Sequence, residues 1–196
     1  LKQAKQLSQK RNKAAIDLGK QVTTAMQDLS MAGGQLEIAL LPLPEGGTHG
    51  LEQVEFLVAG HAGSTPRSLA KVASGGELAR ISLAISVITS KASFTPTLIF
   101  DEVDAGIGGA VAETVGKLLR QLGQSHQILC VTHLPQVAAQ GNHHLKVSKS
   151  QAGDKTLSQV MPLGRSERVE EVARMLGGAT ITDTTRRHAR ELLEQH

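Results

Sequence analysis

Four consecutive residues, Ser74-Gly75-Gly76-Glu77, open the strongly helical run "SGGELARISLAISVI". Ser74 is an N-cap type and Glu77 follows at the spacing of a capping box. That accounts for the serine and the glutamate but not for the glycines, which cost entropy in the first turn of a helix. Bare glycines at this point leave the first amides unobstructed. Amides aligned with a helix dipole attract an anion. Ser74 suits either use, since a hydroxyl accepts from an amide while donating to a phosphate oxygen.

Two apolar strands end in chemistry of the matching kind. "TLIFDEVDAG" runs directly into Asp101 and Glu102, and "QILCVTH" ends on His133. In an open parallel sheet, ligands gather beyond the carboxyl ends of the strands. Two adjacent acids there suit Mg²⁺ on Asp101 and a positioned water on Glu102. A solvated strand end with ordinary acids is the plainer alternative, and a lone histidine at a strand end is usually structural. A right-handed crossover through the intervening helix puts His133 on the same edge as Asp101 and Glu102. The glycine-rich helix start, the strand with two acids and the strand with a histidine then form one constellation.

The elements that must position these residues are legible from periodicity. Ala15, Leu18, Val22, Ala25 and Leu29 are spaced 3 and 4 apart, a heptad seam over residues 1–31, preceded by a weaker register through Leu1, Ala4, Ser8 and Arg11. Lys2, Lys5, Lys10, Arg11, Lys13 and Lys20 against Asp17 and Asp28 leave this segment at +4. It reads either as an amphipathic helix packing on the domain or as the returning strand of a coiled-coil arm. Gly33 and Gly34 are predicted to cap its C-terminus. "QLEIALLPL" and "LEQVEFLVAG", joined by "PEGGTHG", read as an antiparallel pair. The predicted series continues as a helix over 75–90, strand 97–100, helix 109–122, strand 127–132 and short helix 134–140. Strands alternating with helices predict a parallel sheet buried on both faces. A hairpin around Gly153-Asp154 and two helices, 165–176 and 182–194, complete the chain.

"KVASGGELARISLAI", "LIFDEVDAGIGG", "CVTHLPQVAA" and "EEVARMLGG" resemble the ATP-binding-cassette (ABC) ATPases, in the SMC-like branch that includes bacterial DNA-repair ATPases. The resemblance is strong over residues 68–178. It implies an α/β fold, the C-terminal lobe of an ABC-type ATPase head, with 1–32 as a coiled-coil arm stub and 33–196 as the C-terminal half of the head. It implies ATP and Mg²⁺ as cofactors. Ser74, Gly75, Gly76 and Glu77 would face the γ-phosphate of ATP held by an opposing subunit. Asp101 would serve the metal, Glu102 would be the general base, and His133 would sense the γ-phosphate. Val103 to Gly109 would be the D-loop, with Asp104 and Gly106 at the nucleotide. Gly108 stands where SMC-type D-loops usually carry Asp, so that duty would fall to Asp104 or to backbone. The implied partners are the N-terminal half of the same protein, a second copy through ATP-bound heads, and DNA during double-strand break repair and recombination. No membrane is implied, and the implied location is cytoplasmic and nucleoid-associated. "LSGGQ" and "DEP" would be expected of a transporter cassette, and Glu77 and Val103 point away from one.

The 196 residues contain no GxxxxGK[ST], so nothing here cradles a β-phosphate. The expectation is a segment that needs a phosphate-loop half to act, and a first residue other than Met agrees with a piece of something longer. The net charge of +3 tolerates polyanions without demanding them. Phe56, Phe94 and Phe100 are the only aromatic residues, which argues against a base-stacking platform. Cys130 is the only cysteine; no internal disulfide can form, and a reducing cytoplasm is expected. "LKQAKQLSQKRNK" has no apolar signal core, and no window is apolar enough to predict a membrane span. A different cassette ATPase, a transporter subunit or another SMC-like protein, is one rival reading. A non-catalytic DNA-binding scaffold gripping phosphates through residues 1–31 and "TTRRHAR" is the other.

Overall fold

The computed structural model describes residues 1–72, 74–92, 95–152, 155–178 and 180–194. Phe94 and the predicted hairpin turn at Gly153-Asp154 lie outside the described residues. Helix α1 (Lys2–Gln27) buries Ala15, Gly19, Val22 and Met26, close to the spacing of the heptad seam. Its last turns lie on strand β1 (Gln35–Gly47), where Thr23 Oγ1 accepts from the Leu36 amide at 2.9 Å. Gly19 eases this approach, since a Cβ would stand a tight 3.1 Å from the Leu36 carbonyl oxygen. The first half of α1 is more open, with Leu1 and Leu7 exposed.

The helix stops earlier than its glycines suggest. Its C-cap is Asp28, and Ser30 takes the left-handed conformation at φ 61°. The Gln27 side chain donates to the Thr23 and Gly34 carbonyls at 2.7 and 3.0 Å and accepts from the Gly33 amide at 2.8 Å. That amide does locally what the predicted glycine cap would have done. Gly34 is needed for space instead: a Cβ there would lie 2.8 Å from the Gly60 carbonyl oxygen.

Strand β1 pairs antiparallel with β2 (Gly50–Ala59), which pairs with the short β3 (Arg67–Ser68). The connection is tighter than predicted, because Gly47 already faces Gly50 after a register shift between Pro42 and Gly47. Pro42 is tolerated because β1 is an edge strand. Helix α2 (Gly75–Thr89) follows. Strands β4 (Thr97–Phe100) and β5 (Gln127–Cys130) then pair in parallel around helix α3 (Gly109–Leu122). After the short helix α4 (Pro135–Gln140), β6 (Leu145–Ala152) and β7 (Lys155–Pro162) form the expected hairpin. Helices α5 (Arg165–Gly177) and α6 (Asp183–Glu194) pack on each other.

One apolar cluster joins α1, the β1–β2 sheet, α2, β4 and α3 through Val22, Leu36, Leu83, Phe100 and Val115. The β4–β5 pair is parallel as expected, but it is buried on one face and not on both. Leu98, Phe100, Ile128 and Cys130 face the cluster, while Ile99 and Val131 on the other face are 70% and 62% exposed. A two-stranded parallel pair has one face left without a covering layer. Val172, Ala173 and Ala189 form a separate small cluster between α5 and α6. No helix of the described residues is long and apolar enough to cross a membrane.

Candidate functional site

The parallel register sets the site. Phe100 lies opposite Cys130, and the Val131 amide continues the ladder to the Phe100 carbonyl at 3.0 Å. Asp101 and Glu102 therefore leave the sheet on the same edge as Thr132 and His133, as the crossover argument requires. Asp101 and Glu102 are both exposed, and Asp101 Oδ1 accepts from the Glu102 amide at 2.9 Å. Glu102 has φ 56°, a left-handed conformation that costs about 1–3 kcal/mol and persists only where the surroundings hold it.

The helix start lies at this same edge. Ser74 Oγ accepts from the Glu77 amide at 3.3 Å, so half of the capping box is formed. The Glu77 carboxylate lies against Gly60, whose Cβ would stand 3.5 Å from its Oε2. Gly75 and Gly76 each have a close neighbour, the movable end of the Glu102 side chain for the first and Ala105 for the second. A Cβ on Gly75 would fall 2.2 Å from Glu102 Oε2, and one on Gly76 would fall 3.0 Å from the Ala105 Cβ. The glycines thus let the loop after β4 approach the first turn of α2. The carboxylate of Glu102 rests on Gly75 in this arrangement.

Asp104 departs from its expected place. It is buried at 3% exposure, and its Oδ2 accepts from Thr132 Oγ1 at 2.5 Å and from the His133 amide at 3.0 Å. His133 Nδ1 lies 3.3 Å from the same oxygen, while the imidazole is otherwise exposed. The carboxylate thus faces inward and fixes how His133 leaves β5. Gly106, at φ 72°, is exposed at the turn, and a Cβ on Gly108 would meet nothing within 4 Å. Neither Asp104 nor Gly106 reaches outward with a side chain.

Sequence reasoning missed two residues that hold this edge together. Thr132 bonds Asp104 and accepts from the Leu134 amide at 3.0 Å. Arg80 lies one helical turn beyond Gly76 and is buried; its Nη1 donates to the Ala105 carbonyl at 2.8 Å. The signal was an arginine on the buried face of α2 beside Gly76, Ile81 and Ala84. Burial lowers the Arg80 pKa against an opposing effect of Glu77. Burial, and next the charges of Asp104 and Asp101, push the Cys130 thiol up to about 12. Cys130 is therefore a protonated packing residue, and the rim in front of it carries negative potential.

This arrangement of layers is the fold of an SMC head domain. The head domain of Smc from Pyrococcus yayanosii, solved with a coiled coil and joint, superposes at a TM-score of 0.59 over 83% of this chain and 29% of that one, at 23% identity. In sequence the chain is RecN-like: it is 49% identical over 98% of its length to the DNA repair protein RecN of Xylella fastidiosa (strain 9a5c). It is 47% identical over 97% of its length to RecN of Vibrio cholerae. The chain spans about a third of the length of these relatives, 35% and 34%. No family model matches it.

Proposed function

We propose that the chain is the C-terminal part of an ATP-dependent DNA double-strand break repair and recombination protein, and that it supplies one wall of a nucleotide site shared by two heads. The observation that carries this reading is the gathering of Gly75, Asp101, Glu102 and His133 on one edge of the β4–β5 pair. The similarity to RecN supplies the repair context. Ser74, Gly75 and Gly76 would face the γ-phosphate of ATP held by the opposing head, with Glu77 behind them. Asp101 would hold Mg²⁺ with one carboxylate oxygen, Glu102 would take a proton from the attacking water, and His133 would report on the γ-phosphate. The exposed acids at a strand end suit the metal of an Mg·ATP complex. The phosphate loop would come from an N-terminal half packed on the open face of Ile99 and Val131, with α1 continuing into a coiled-coil arm.

Glu102 has to leave Gly75 before a phosphate can meet the α2 turn. The resting contact between them keeps the base off its target until the heads close. The chain alone neither binds ATP tightly nor hydrolyses it. In the protein assembled with a phosphate-loop half, Glu102→Gln traps an ATP-bound closed dimer, read as slowed head dissociation by light scattering. Unchanged dissociation kinetics would remove Glu102 from its role, and turnover by this chain alone would remove the requirement for a second half.

A further inference from the structure

Helix α4 is only six residues long, about 9 Å at the standard rise, and both of its ends are held by side chains from other elements. At its start, Asp104 takes the Thr132 hydroxyl and the His133 amide, and Thr132 Oγ1 takes the Leu134 amide. At its end, Arg168 of α5 donates to the carbonyls of Ala138 at 3.2 Å, Ala139 at 3.0 Å, Gly141, and Asn142 at 3.3 Å. Arg120 of α3 adds a bond to the Gln140 carbonyl at 2.9 Å. Cations at a helix C-terminus also complement its dipole.

The two ends are joined by an unbroken run of bonds. The Asp104 carboxylate holds the Thr132 hydroxyl, which holds the Leu134 amide. The Leu134 carbonyl accepts from the Ala138 amide at 3.0 Å, and the Ala138 carbonyl accepts from Arg168. Bonds in such a chain polarise one another, and breaking one end loosens the rest. α3 also lies close beneath α4, where a Cβ on Gly116 would meet Gln140 Cγ at 2.6 Å, so α4 has little room to shift sideways. Beyond Arg168, α5 and α6 form their own small apolar cluster.

We infer that Arg168 is a positioning residue for His133, acting through α4, so that the α5–α6 pair and the rim respond to one another. The consequence for turnover rests on the proposed role of His133. The coupling itself does not, and its test needs no nucleotide. Residue-resolved amide hydrogen exchange of the whole chain compares wild type with Arg168→Ala. The expected result is about tenfold faster exchange at Ala138 and Gly141 and a several-fold rise at His133 and Leu134, at the far end of α4. Unchanged rates at Ile38 and Phe56 establish that the chain is folded. Acceleration confined to residues 138–142, with His133 and Leu134 at wild-type rates, would reduce Arg168 to a local cap and overturn the inference.

The reverse experiment holds if Arg168→Ala does not fold. Coupling between two sites is reciprocal. Asp104→Asn, which weakens the start of α4, should therefore speed exchange at Ala138 and Gly141. No change there would overturn the inference equally.

Discussion

The main core and the C-terminal helical pair are held in different ways. Val22, Leu83 and Leu122 are buried from solvent among apolar neighbours from helices and strands alike. The α5–α6 pair has a smaller cluster of Val172, Ala173 and Ala189 with Leu176 and Leu192 among the residues packed on it, and charged side chains link it to α4 and β6. Arg168 caps α4, and Glu171 accepts from Lys146 of β6 at 2.5 Å and from Arg174 at 2.6 Å. Burial of area is indifferent to direction and pH, whereas bonds to charged groups fail when one partner or one proton changes. The first region is built to persist and the second to respond.

The largest expected effect tests the first half of this contrast. Leu83→Ala removes a fully buried side chain from the main cluster and lowers the stability of the whole chain by about 2–5 kcal/mol, measured by urea denaturation. Val172→Ala should instead loosen α5 and α6 while leaving the midpoint of the main transition near its wild-type value. A full-chain loss from Val172→Ala as large as that from Leu83→Ala would merge the two regions into one cooperative unit.

The same contrast explains what the sequence discloses. The strand ends carrying Asp101, Glu102 and His133 follow from short apolar runs and the handedness of a crossover, and the structure brings them to one edge. The glycines of α2 were conspicuous in the sequence, but nothing in it pointed to Glu102 and Ala105 as their immediate neighbours. Asp104 turning inward was illegible, because its partners Thr132 and His133 are nearly thirty residues away. Arg168 was illegible likewise, since its acceptors are main-chain carbonyls, which no side-chain pattern advertises. The end of α1 was misplaced because Gln27 folds back over Gly33, a contact that glycine statistics do not anticipate.

Acidification sharpens the comparison next. The Arg174 hydrogen bonds, and then the Lys146 bond, hold the Glu171 carboxyl at about 2 against an opposing effect of burial. Its folded pKa is depressed, so its stabilisation is complete above the ordinary value of 4.5 and is lost as pH falls from there toward 2. His144, with a buried Nδ1 that has no hydrogen-bond partner among the described residues, has its pKa lowered by burial and then by Arg168. Its stabilisation is present above the ordinary 6.5 and declines as pH drops below that, because the unfolded chain takes up the proton first. The α5–α6 pair should therefore lose exchange protection in two stages, beginning below pH 6.5, while α1 and the β1–β2 sheet stay protected. Loss of protection in both regions together would sink the assignment of these two groups to the attachment.

The smallest effect belongs to Arg186, and it separates charge that attaches from charge that merely decorates. Asp183 precedes Arg186 by three residues on the same helix, at the spacing of a helical ion pair. Arg186 does lie 3.3 Å from Asp183, but its closer contact is Glu170 of α5, at 2.9 Å. Both acids are solvated, and these bonds raise the Arg186 pKa, the Glu170 bond more than the others. An ion pair in water gains little, because solvent screens it and two long side chains must be held still. Glu171 differs by being walled off from solvent while bonding two cations at once. Arg186→Ala should accordingly leave the exchange protection of α5 and α6 unchanged, whereas Glu171→Gln should lower it across both helices. If Arg186→Ala opened the pair as far as Glu171→Gln, the number of charged contacts, and not their seclusion from water, would govern how this region is held.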